Sequence, residues 1–573
     1  MGDAFPLKYN DMKKIIIALA ICILATGAVD AQNAKNGKRN KRSKAVSALQ
    51  EPALDTCSAI SNLIQVSNLI IGNYVDNPEM NKLQEEAISA MLTKLDPHSM
   101  FIPARNVERA NESLQGNFEG VGITFSINND TINVGEVIVG GPAEKVGIQM
   151  GDKILFIDHK KATGDSINNA YVTKHLRGKK GTKVEITVLR AGYSKPIDFT
   201  VVRDKVPIYS VDCYFMVDDS IGYIRLSRYA RSSAQEVAKA LQKLKADGMK
   251  SLIFDLRGNS GGYLDIACSI VNEFLTGGKT IVYTEGRNSP RQTFKTNSFG
   301  NFMTGELVVL VDEYSASAAE ITSGAIQDWD RGVIIGRRTF GKGLVQRLFT
   351  LRDGSQVRLT NARYYTPSGR CIQKPYDKGN DNYMQDIDNR YKHGELLNAD
   401  SINFPDSLKY KTLTMGRTVY GGGGIMPDIF IPIDTTRLSD YFLAVRGKGH
   451  LNKFPLEWAN AHRTDPRVAT FEDFLKNYDQ FEIDKEFLKY AEGNDIFLSD
   501  SSYSVPKEME AADSTKKTEI LYRKSDARTD EYISHLLKAM LARDLFGLQY
   551  YTRIMKDDDI TFQAAIKTLK HQK

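Results

Sequence analysis

The sequence contains few cysteines and histidines, and neither residue type falls into a disulfide or metal-binding pattern. Its 573 residues include five Cys and eight His. No CxxC pair and no HExxH string occurs among them. The cysteines are far apart, at Cys22, Cys57, Cys213, Cys268 and Cys371. The sequence therefore predicts no disulfide framework, no metal and no cofactor.

A basic surface of the kind that binds nucleic acid is also lacking. The formal net charge is +6, but residues 33–44, NAKNGKRNKRSK, hold six Lys and Arg and no acidic residue. Residues 1–32 contain three Lys and three Asp, so residues 45–573 are close to neutral. The basic stretch is compatible with a loose contact to anionic lipid. The lack of an amphipathic pattern around it favours a solvated linker instead.

The apolar run near the N-terminus is too short for a comfortable transmembrane helix. MKK at 12–14 is followed by IIIALAICILA at 15–25 and then by small residues up to Gln32. This order is typical of a secretory signal peptide, whereas a membrane span needs about 20 apolar residues. We therefore expect a signal peptide over 1–31, a basic linker over 32–50, and export to the bacterial periplasm or cell envelope. An uncleaved N-terminal anchor is the alternative.

The rest of the chain is long enough for several domains. Residues 51–115 show the apolar spacing of helices, and residues 116–204 form a β-rich module. Strands and helices alternate over 205–436, which predicts an α/β unit with strands buried on both faces. A polar stretch at 376–419 interrupts this unit and is predicted to be an insertion or long loop. Helical patterns dominate residues 437–573.

The string YSASAAEI, which includes Ser317, has two interpretations. Ser317 and Glu320 fit the S-x-x-E capping box of a helix that follows the apolar run ELVVLVD. The same order of strand, turn and helix would also expose the Ser317 hydroxyl beside backbone amides, as a nucleophile requires. Taken alone, the string favours the helix cap.

The string TFGKGLVQ (339–346) contains a candidate base for such a nucleophile. Lys342 lies between glycines and apolar residues, a setting that lowers the pKa of an amine and suits it to accept a proton. Gln346 lies on the same face of an extended chain and is placed to orient the amine. A surface lysine in a glycine turn is the alternative for this string alone.

The string DLRGNSGG (255–262) offers backbone amides. The amide of Gly261 or Gly262 would form one half of an oxyanion hole, and the amide of Ala318 would form the other half. A plain tight turn or an anion-binding nest is the alternative. No GK[ST] sequence follows, so the string does not fit a phosphate-binding P-loop.

Within the β-rich module, EGVGITF, GPAEKVGIQMGDKIL and HLRGKKGTKVEITVLR resemble the PDZ family in its bacterial protease form. We expect the backbone of Gly120, Val121, Gly122 and Ile123 to hold a terminal carboxylate while the next strand pairs with the peptide. The alternative is that these glycines only make a tight turn.

Four strings in order, DLRGNSGG, YSASAAEI, GRRTFGKGLVQ and YYTPSGRCIQKP, together resemble the C-terminal processing peptidases, also called tail-specific proteases. The likeness covers about residues 60–436. It implies a crotonase-like spiral α/β core, an inserted PDZ domain and helical N- and C-terminal regions. It also implies a serine endopeptidase in which Ser317 is the nucleophile, Lys342 the general base and Gln346 the residue that positions the lysine.

The resemblance further implies that Ala318 and the NSGG turn form the oxyanion hole, and that the substrates are proteins or peptides with exposed C-termini. Ser260 stands where the family often has Pro, and Cys371 stands where Ser is more usual. The alternative function is a PDZ peptide-binding scaffold without catalysis. Oligomerisation is compatible with the helical tail, although apolar helix faces are more often simply packed.

Overall fold

The computed structural model describes residues 52–128, 130–507 and 518–571. The chain divides into two compact units, residues 1–83 and 84–573. The predicted signal peptide and basic linker lie outside the described residues. Within the described ranges, no helix has the length and apolar character needed to cross a membrane.

The N-terminal region is helical, as its apolar spacing indicates. Its elements are the helices Pro52–Asn73, Met80–Thr93 and Val107–Gln115, the short strand Met100–Ile102 and a 3-10 turn at Ala104–Asn106. The turn after the second helix is held by Asp96, whose Oδ1 accepts the amides of His98 at 2.8 Å and Ser99 at 2.9 Å.

The β-rich module forms its own small barrel-like sheet around a core of Val and Ile side chains. The strands are Ile123–Asn128, Thr131–Val137, Lys153–Ile157, Lys160–Lys161, Lys183–Leu189 and Ile197–Val202. The helices are Pro142–Val146 and Asn169–Leu176. Within the part of the chain that the structure describes, Ile123–Asn128 pairs with a neighbour on one side only, which makes it an edge strand of this sheet. A separate pair, Asn117–Gly120 with Asp204–Pro207, connects the module to the rest of the chain.

A six-stranded sheet, here called the central sheet, forms the α/β unit. Its strands, in spatial order, are Val211–Met216, Ile221–Leu226, Ser251–Asp255, Glu306–Val311, Val333–Gly336 and Ile429–Phe430. The first strand is antiparallel and the others are parallel. The helices Ser233–Ala246, Leu264–Asn272 and Ala318–Asp328 cover one face. Strands buried on both faces read as continuous apolar runs, which explains the sequence pattern.

The other face of the central sheet is covered by the last helix of the chain, Ile560–His571. Its Phe562, Ala565 and Leu569 pack with sheet residues such as Tyr223 and Val308. The side chains of these sheet residues point away from the face that the other three helices cover, because neighbouring residues of a strand point to opposite faces. The final helix of the predicted C-terminal helical region, 437–573, therefore packs on the central sheet of the α/β unit.

A second, antiparallel sheet lies beside the central one. Its strands are Met100–Ile102, Gln356–Tyr365, Thr280–Gly286 and Ser289–Lys295, with Leu344–Thr350 paired along Gln356–Tyr365. Ser317 follows a strand of the central sheet, and Lys342 precedes a strand of the second sheet. The two candidate residues thus belong to different sheets.

Residues 376–419 form a folded insert rather than a loop. The elements are the helices Asn380–Met384 and Asp386–Lys392, 3-10 turns at Ala399–Ser401 and Asp406–Leu408, and the paired strands Lys409–Lys411 and Thr418–Tyr420. Tyr383, Arg390 and Leu396 of this insert are buried. Its polar composition hid this packing, since few of its residues are apolar.

The region after the core has its own aromatic core. Its helices are Asp440–Gly447, His450–His462, Phe471–Asn477, Ile483–Gly493, Ala527–Phe546 and Leu548–Met555, with 3-10 turns at Pro466–Val468 and Tyr478–Phe481. The predicted helix over 531–547 corresponds to Ala527–Phe546, which ends one residue earlier and is capped by Gly547. A small sheet of Ile496–Leu498, Thr518–Arg523 and Tyr503–Lys507 was not predicted.

Candidate active site

Ser317 lies at the turn between the strand Glu306–Val311 and the helix Ala318–Asp328, here called the serine helix. It is the N-cap residue, with φ +55° and ψ −112°, a backbone conformation that L-residues rarely adopt. Such a conformation costs on the order of 1–3 kcal/mol and is retained only where the surroundings enforce it. Strain of this kind is common where a turn presents a reactive side chain.

The carboxylate of Glu320 enforces that turn and joins it to the loop that carries Lys342. It accepts the Ser317 amide at 2.8 Å, the Gly341 amide at 2.7 Å and the Lys342 amide at 2.9 Å. It also accepts the Thr339 hydroxyl at 2.6 Å. Burial raises the pKa of this carboxyl, and the hydrogen bonds oppose the rise. Glu320 therefore does more than cap a helix, because it fixes both candidate residues through their backbones.

The Tyr364 hydroxyl makes a second connection between the same two segments. It lies 2.7 Å from the carbonyl oxygen of Lys342 and 3.1 Å from that of Ser317. Tyr364 is buried on the strand Gln356–Tyr365 of the second sheet. Both candidate residues are thus tied to groups that are themselves held in the core.

Lys342 has the electrostatic character expected of a base. Burial lowers the pKa of its amine to about 8, helped by the positive charge of Arg358 and opposed by Glu320 and Asp96. A substantial fraction of the amine is then neutral near pH 8, whereas an ordinary lysine would be almost fully protonated.

A cavity of about 410 Å³ with mainly apolar walls opens beside this turn. The residues that line it are His98, Gly258, Ser260, Tyr314, Ala316, Phe340 and Lys342. The cavity includes Ala316, which directly precedes Ser317, and its apolar surface suits the side chain of an apolar residue in a bound peptide.

His98 and the Asp96 turn reach this site from the N-terminal helices, and the sequence strings did not reveal that. His98 Nε2 lies 2.9 Å from the Tyr383 hydroxyl, and burial lowers the pKa of its ring to about 3. The ring is therefore neutral and a poor base at neutral pH. In the sequence, only the DPHS turn marks this region, and such a turn by itself does not indicate a catalytic or binding role.

Gln346 points to a different partner from the one predicted. Its Nε2 donates to the Thr360 hydroxyl at 3.4 Å, and that hydroxyl donates to Asp96 at 3.0 Å. Among the described residues, no hydrogen bond joins Gln346 to the Lys342 amine. The hydrogen bonds from Gln346 end at Asp96, whose negative charge opposes the fall in the pKa of Lys342.

Two of the three predicted oxyanion donors, Ala318 and Gly261, lie at the Ser317 turn. Ala318 is the first residue of the serine helix, where backbone amides lack partners within the helix. A Cβ on Gly261 would lie 2.8 Å from the Ser317 Cβ and 2.9 Å from the Ala318 amide. The Gly261 amide itself donates to Asn259 Oδ1 at 2.8 Å, so it is already engaged. Gly262 is required by close packing, since its Cβ would lie 2.1 Å from the Tyr229 carbonyl oxygen.

The predicted peptide-binding residues lead into the edge strand of the β-rich module, since Gly120 ends the strand Asn117–Gly120 and Ile123 is the first residue of Ile123–Asn128. Gly122 has φ +87°, and the carbonyls of Val121 and Gly122 accept the amides of Ala143 and Ile138. Gly120 lies near the C-terminal end of the helix Asn169–Leu176. An unpaired strand edge beside a helix end can accept an extended peptide as an additional strand.

Comparison with known proteins assigns the class. Residues 220–379 match peptidase family S41, residues 120–211 match the PDZ domain, and residues 441–547 match a family of unknown function. A carboxy-terminal-processing protease of Bartonella bacilliformis is 39% identical over 306 residues, 52% of this chain and 69% of that protein. The carboxy-terminal processing protease CtpA of Bacillus subtilis is 34% identical over 326 residues, 57% of this chain and 69% of that protein. A solved photosystem II D1 C-terminal processing protease is 24% identical, with 64% of this chain and 91% of that chain covered and a TM-score of 0.33.

These sequence matches define a serine-type peptidase with a PDZ domain. The chain belongs to the C-terminal processing peptidases of family S41. The family, the fold class and the enzyme class expected from the four strings are thereby confirmed. Among the described residues, no group of three or more His, Cys, Asp or Glu is arranged to hold a metal ion.

Replacing Glu320 tests whether its carboxylate holds the site together. We expect Glu320→Gln to lower kcat/KM by more than about 10-fold. The side-chain amide of glutamine would turn its own N–H group towards backbone and hydroxyl donors that are now accepted by a carboxylate oxygen. Leaving buried donors unpaired costs about 1–3 kcal/mol each, so the free energy of unfolding should also fall. Peptidase kinetics and denaturant unfolding measure both effects.

The exposed Glu531 on a distant helix provides the control, and Glu531→Gln should leave both quantities unchanged. Full activity of a folded Glu320→Gln variant would show that the carboxylate does not organise the site.

Proposed function

We propose that this protein is an exported endopeptidase that cuts protein substrates with a Ser317–Lys342 dyad. The observation that carries the proposal is the meeting of the Ser317 turn and the Lys342 loop on Glu320 and Tyr364, beside an apolar cavity. The lowered pKa of Lys342 supports its role as base. A catalytically inactive scaffold is not favoured, since its relatives are named as proteases.

The chemistry follows from these groups. The neutral amine of Lys342 takes the proton of the Ser317 hydroxyl while Oγ forms a bond to the scissile carbonyl carbon. The negative oxygen that develops is stabilised by the Ala318 amide, and the Gly261 amide joins it once Asn259 releases it. The carbon–nitrogen bond then breaks, and the lysine gives its proton to the leaving amine. Water then attacks the acyl carbon while the Lys342 amine takes its proton. The bond from that carbon to Ser317 Oγ breaks, the lysine returns the proton to Oγ, and the new C-terminal carboxylate leaves.

Substrate choice would begin at the β-rich module. The relatives are named for processing carboxy termini, and the PDZ fold offers the edge strand Ile123–Asn128, which Gly120–Gly122 precede. A substrate C-terminus added to this edge would be held by backbone hydrogen bonds, while a more internal segment reaches Ser317. Gln346 would act on the amine indirectly, by holding Thr360 and through it Asp96, whose charge acts on Lys342.

Removing either member of the dyad should abolish cleavage. We expect Ser317→Ala and Lys342→Ala to lower kcat/KM on an unfolded protein substrate by about 10⁴-fold or more, as for other residues that act as one unit. Chromatographic or gel assay of the products measures the loss.

Ser315→Ala is the matched serine control for the chemistry, since Ser315 bonds to Leu256 and Asp312 rather than facing the cavity; only a stability effect is expected. Normal cleavage by the Ser317→Ala or Lys342→Ala variant would contradict the proposal.

A substrate with an amidated C-terminus should be cut less efficiently if the PDZ domain binds the terminal carboxylate.

The activity should depend on pH through Lys342. The amine must be neutral to act, so kcat/KM should rise as pH increases through its pKa of about 8 and then level off. The slope is positive because deprotonation creates the active form. A profile measured from pH 5 to 10 that is flat across this window would contradict the role of Lys342.

Export would be directed by residues 1–31. The signal-like order of charged, apolar and small residues is the supporting observation. We expect N-terminal sequencing of the protein from a producing bacterium to give a mature chain that starts at Gln32 in the cell envelope. Recovery of the intact N-terminus in the cytosol would contradict export.

A further inference from the structure

The insert at 376–419 contacts the backbone of the loop that carries Lys342. Arg390, on the helix Asp386–Lys392, has a side chain that is only 2% exposed. Its Nη1 donates to the carbonyl oxygen of Thr339 at 2.8 Å and to that of Arg338 at 3.4 Å, and its Nη2 donates to that of Phe340 at 3.1 Å. One guanidinium thus holds three consecutive carbonyls just before Gly341 and Lys342.

Asp386 keeps Arg390 in place and connects it to the opposite side of the loop. Its Oδ2 lies 2.8 Å from Arg390 Nε and accepts Lys374 Nζ at 2.9 Å. The backbone amide of Lys374 donates to the Gly341 carbonyl at 2.9 Å. The Lys374 ammonium lies 3.8 Å from the ring centroid of Phe340, which lines the cavity. The Asp386 carboxylate therefore links Arg390 and Lys374, which hold the loop from two sides.

We propose that Arg390 is a positioning residue for Lys342, so that the insert is a working part of the catalytic unit. The proposal rests on the role proposed for Lys342 as the base. A guanidinium presents several donors in a fixed plane, which suits it to bind adjacent carbonyls, whereas a lysine in its place offers a single flexible point charge. A buried charge of this kind needs partners in the core, and Arg390 has three backbone carbonyls and the Asp386 carboxylate.

The titratable and charged groups that face the Lys342 amine lie on other elements. They are Glu320 on the serine helix, Asp96 and His98 on the turn after the helix Met80–Thr93, and Arg358 on the second sheet. Removing Arg390 leaves these groups in the chain. It loosens the loop, admits water to the amine and raises the pKa of Lys342 towards that of an ordinary lysine.

Variants of Arg390 test this role. We expect Arg390→Met to lower kcat by about 10- to 100-fold, the size of effect that a small misplacement of a catalytic group produces, with little change in KM. The midpoint of its kcat–pH profile should move to higher pH, so the loss should shrink as pH rises. Arg390→Lys should recover part of kcat. Lys392→Met, an exposed change on the same helix, should match the unaltered enzyme.

The outcomes separate the two levels of the account. A folded Arg390→Met enzyme with unchanged kcat, with a loss in KM alone, or with the same loss at every pH would overturn the positioning role. If the Met variant does not fold, the pH profile of Arg390→Lys carries the same test. Lys342→Ala is measured alongside: activity in that variant would overturn the base itself, whereas its inactivity beside a normal Arg390→Met would overturn only the role of Arg390.

Discussion

The buried carboxylate of Glu320 is the constraint on which the site depends. Ser317 lies at the end of a strand in the central sheet, and Lys342 lies before a strand in the second sheet. Because these two segments belong to different sheets, the strand pairing alone does not fix Ser317 and Lys342 relative to each other. A further contact between the segments is needed. Glu320 accepts backbone amides from both residues and is itself fully buried. An isolated charge there would be expensive, and its hydrogen bonds are what make it tolerable.

The surrounding architecture supports that carboxylate from several directions. Tyr364 repeats the connection through the carbonyls of the same two residues, and Arg390 fixes the loop from the insert. Beneath them, the central sheet is sealed on its far face by the last helix of the chain, which places Phe562 against Tyr223. Segments far apart in sequence thus contribute to the rigidity that catalytic geometry requires.

The sequence predicted the parts of the fold that have local signals. Apolar runs such as ELVVLVD predicted the buried strands, and the S-x-x-E string predicted the start of the serine helix. The ordered strings identified the family. What could not be predicted were contacts between segments distant in sequence: His98 at the cavity, the last helix on the sheet, and Arg390 on the Lys342 loop. A polar insert has no periodic apolar pattern, so the sequence could not predict that it packs on the core through one arginine and one aspartate.

The most direct test of the Ser317–Lys342 assignment is the rate at which a fluorophosphonate modifies the enzyme, with the modified residue located by peptide mass spectrometry. The account predicts a single modified residue, Ser317, with a rate that rises towards pH 8 and above and that is lost in Lys342→Ala. Modification at another serine, or modification of Ser317 at an unchanged rate without Lys342, would contradict it.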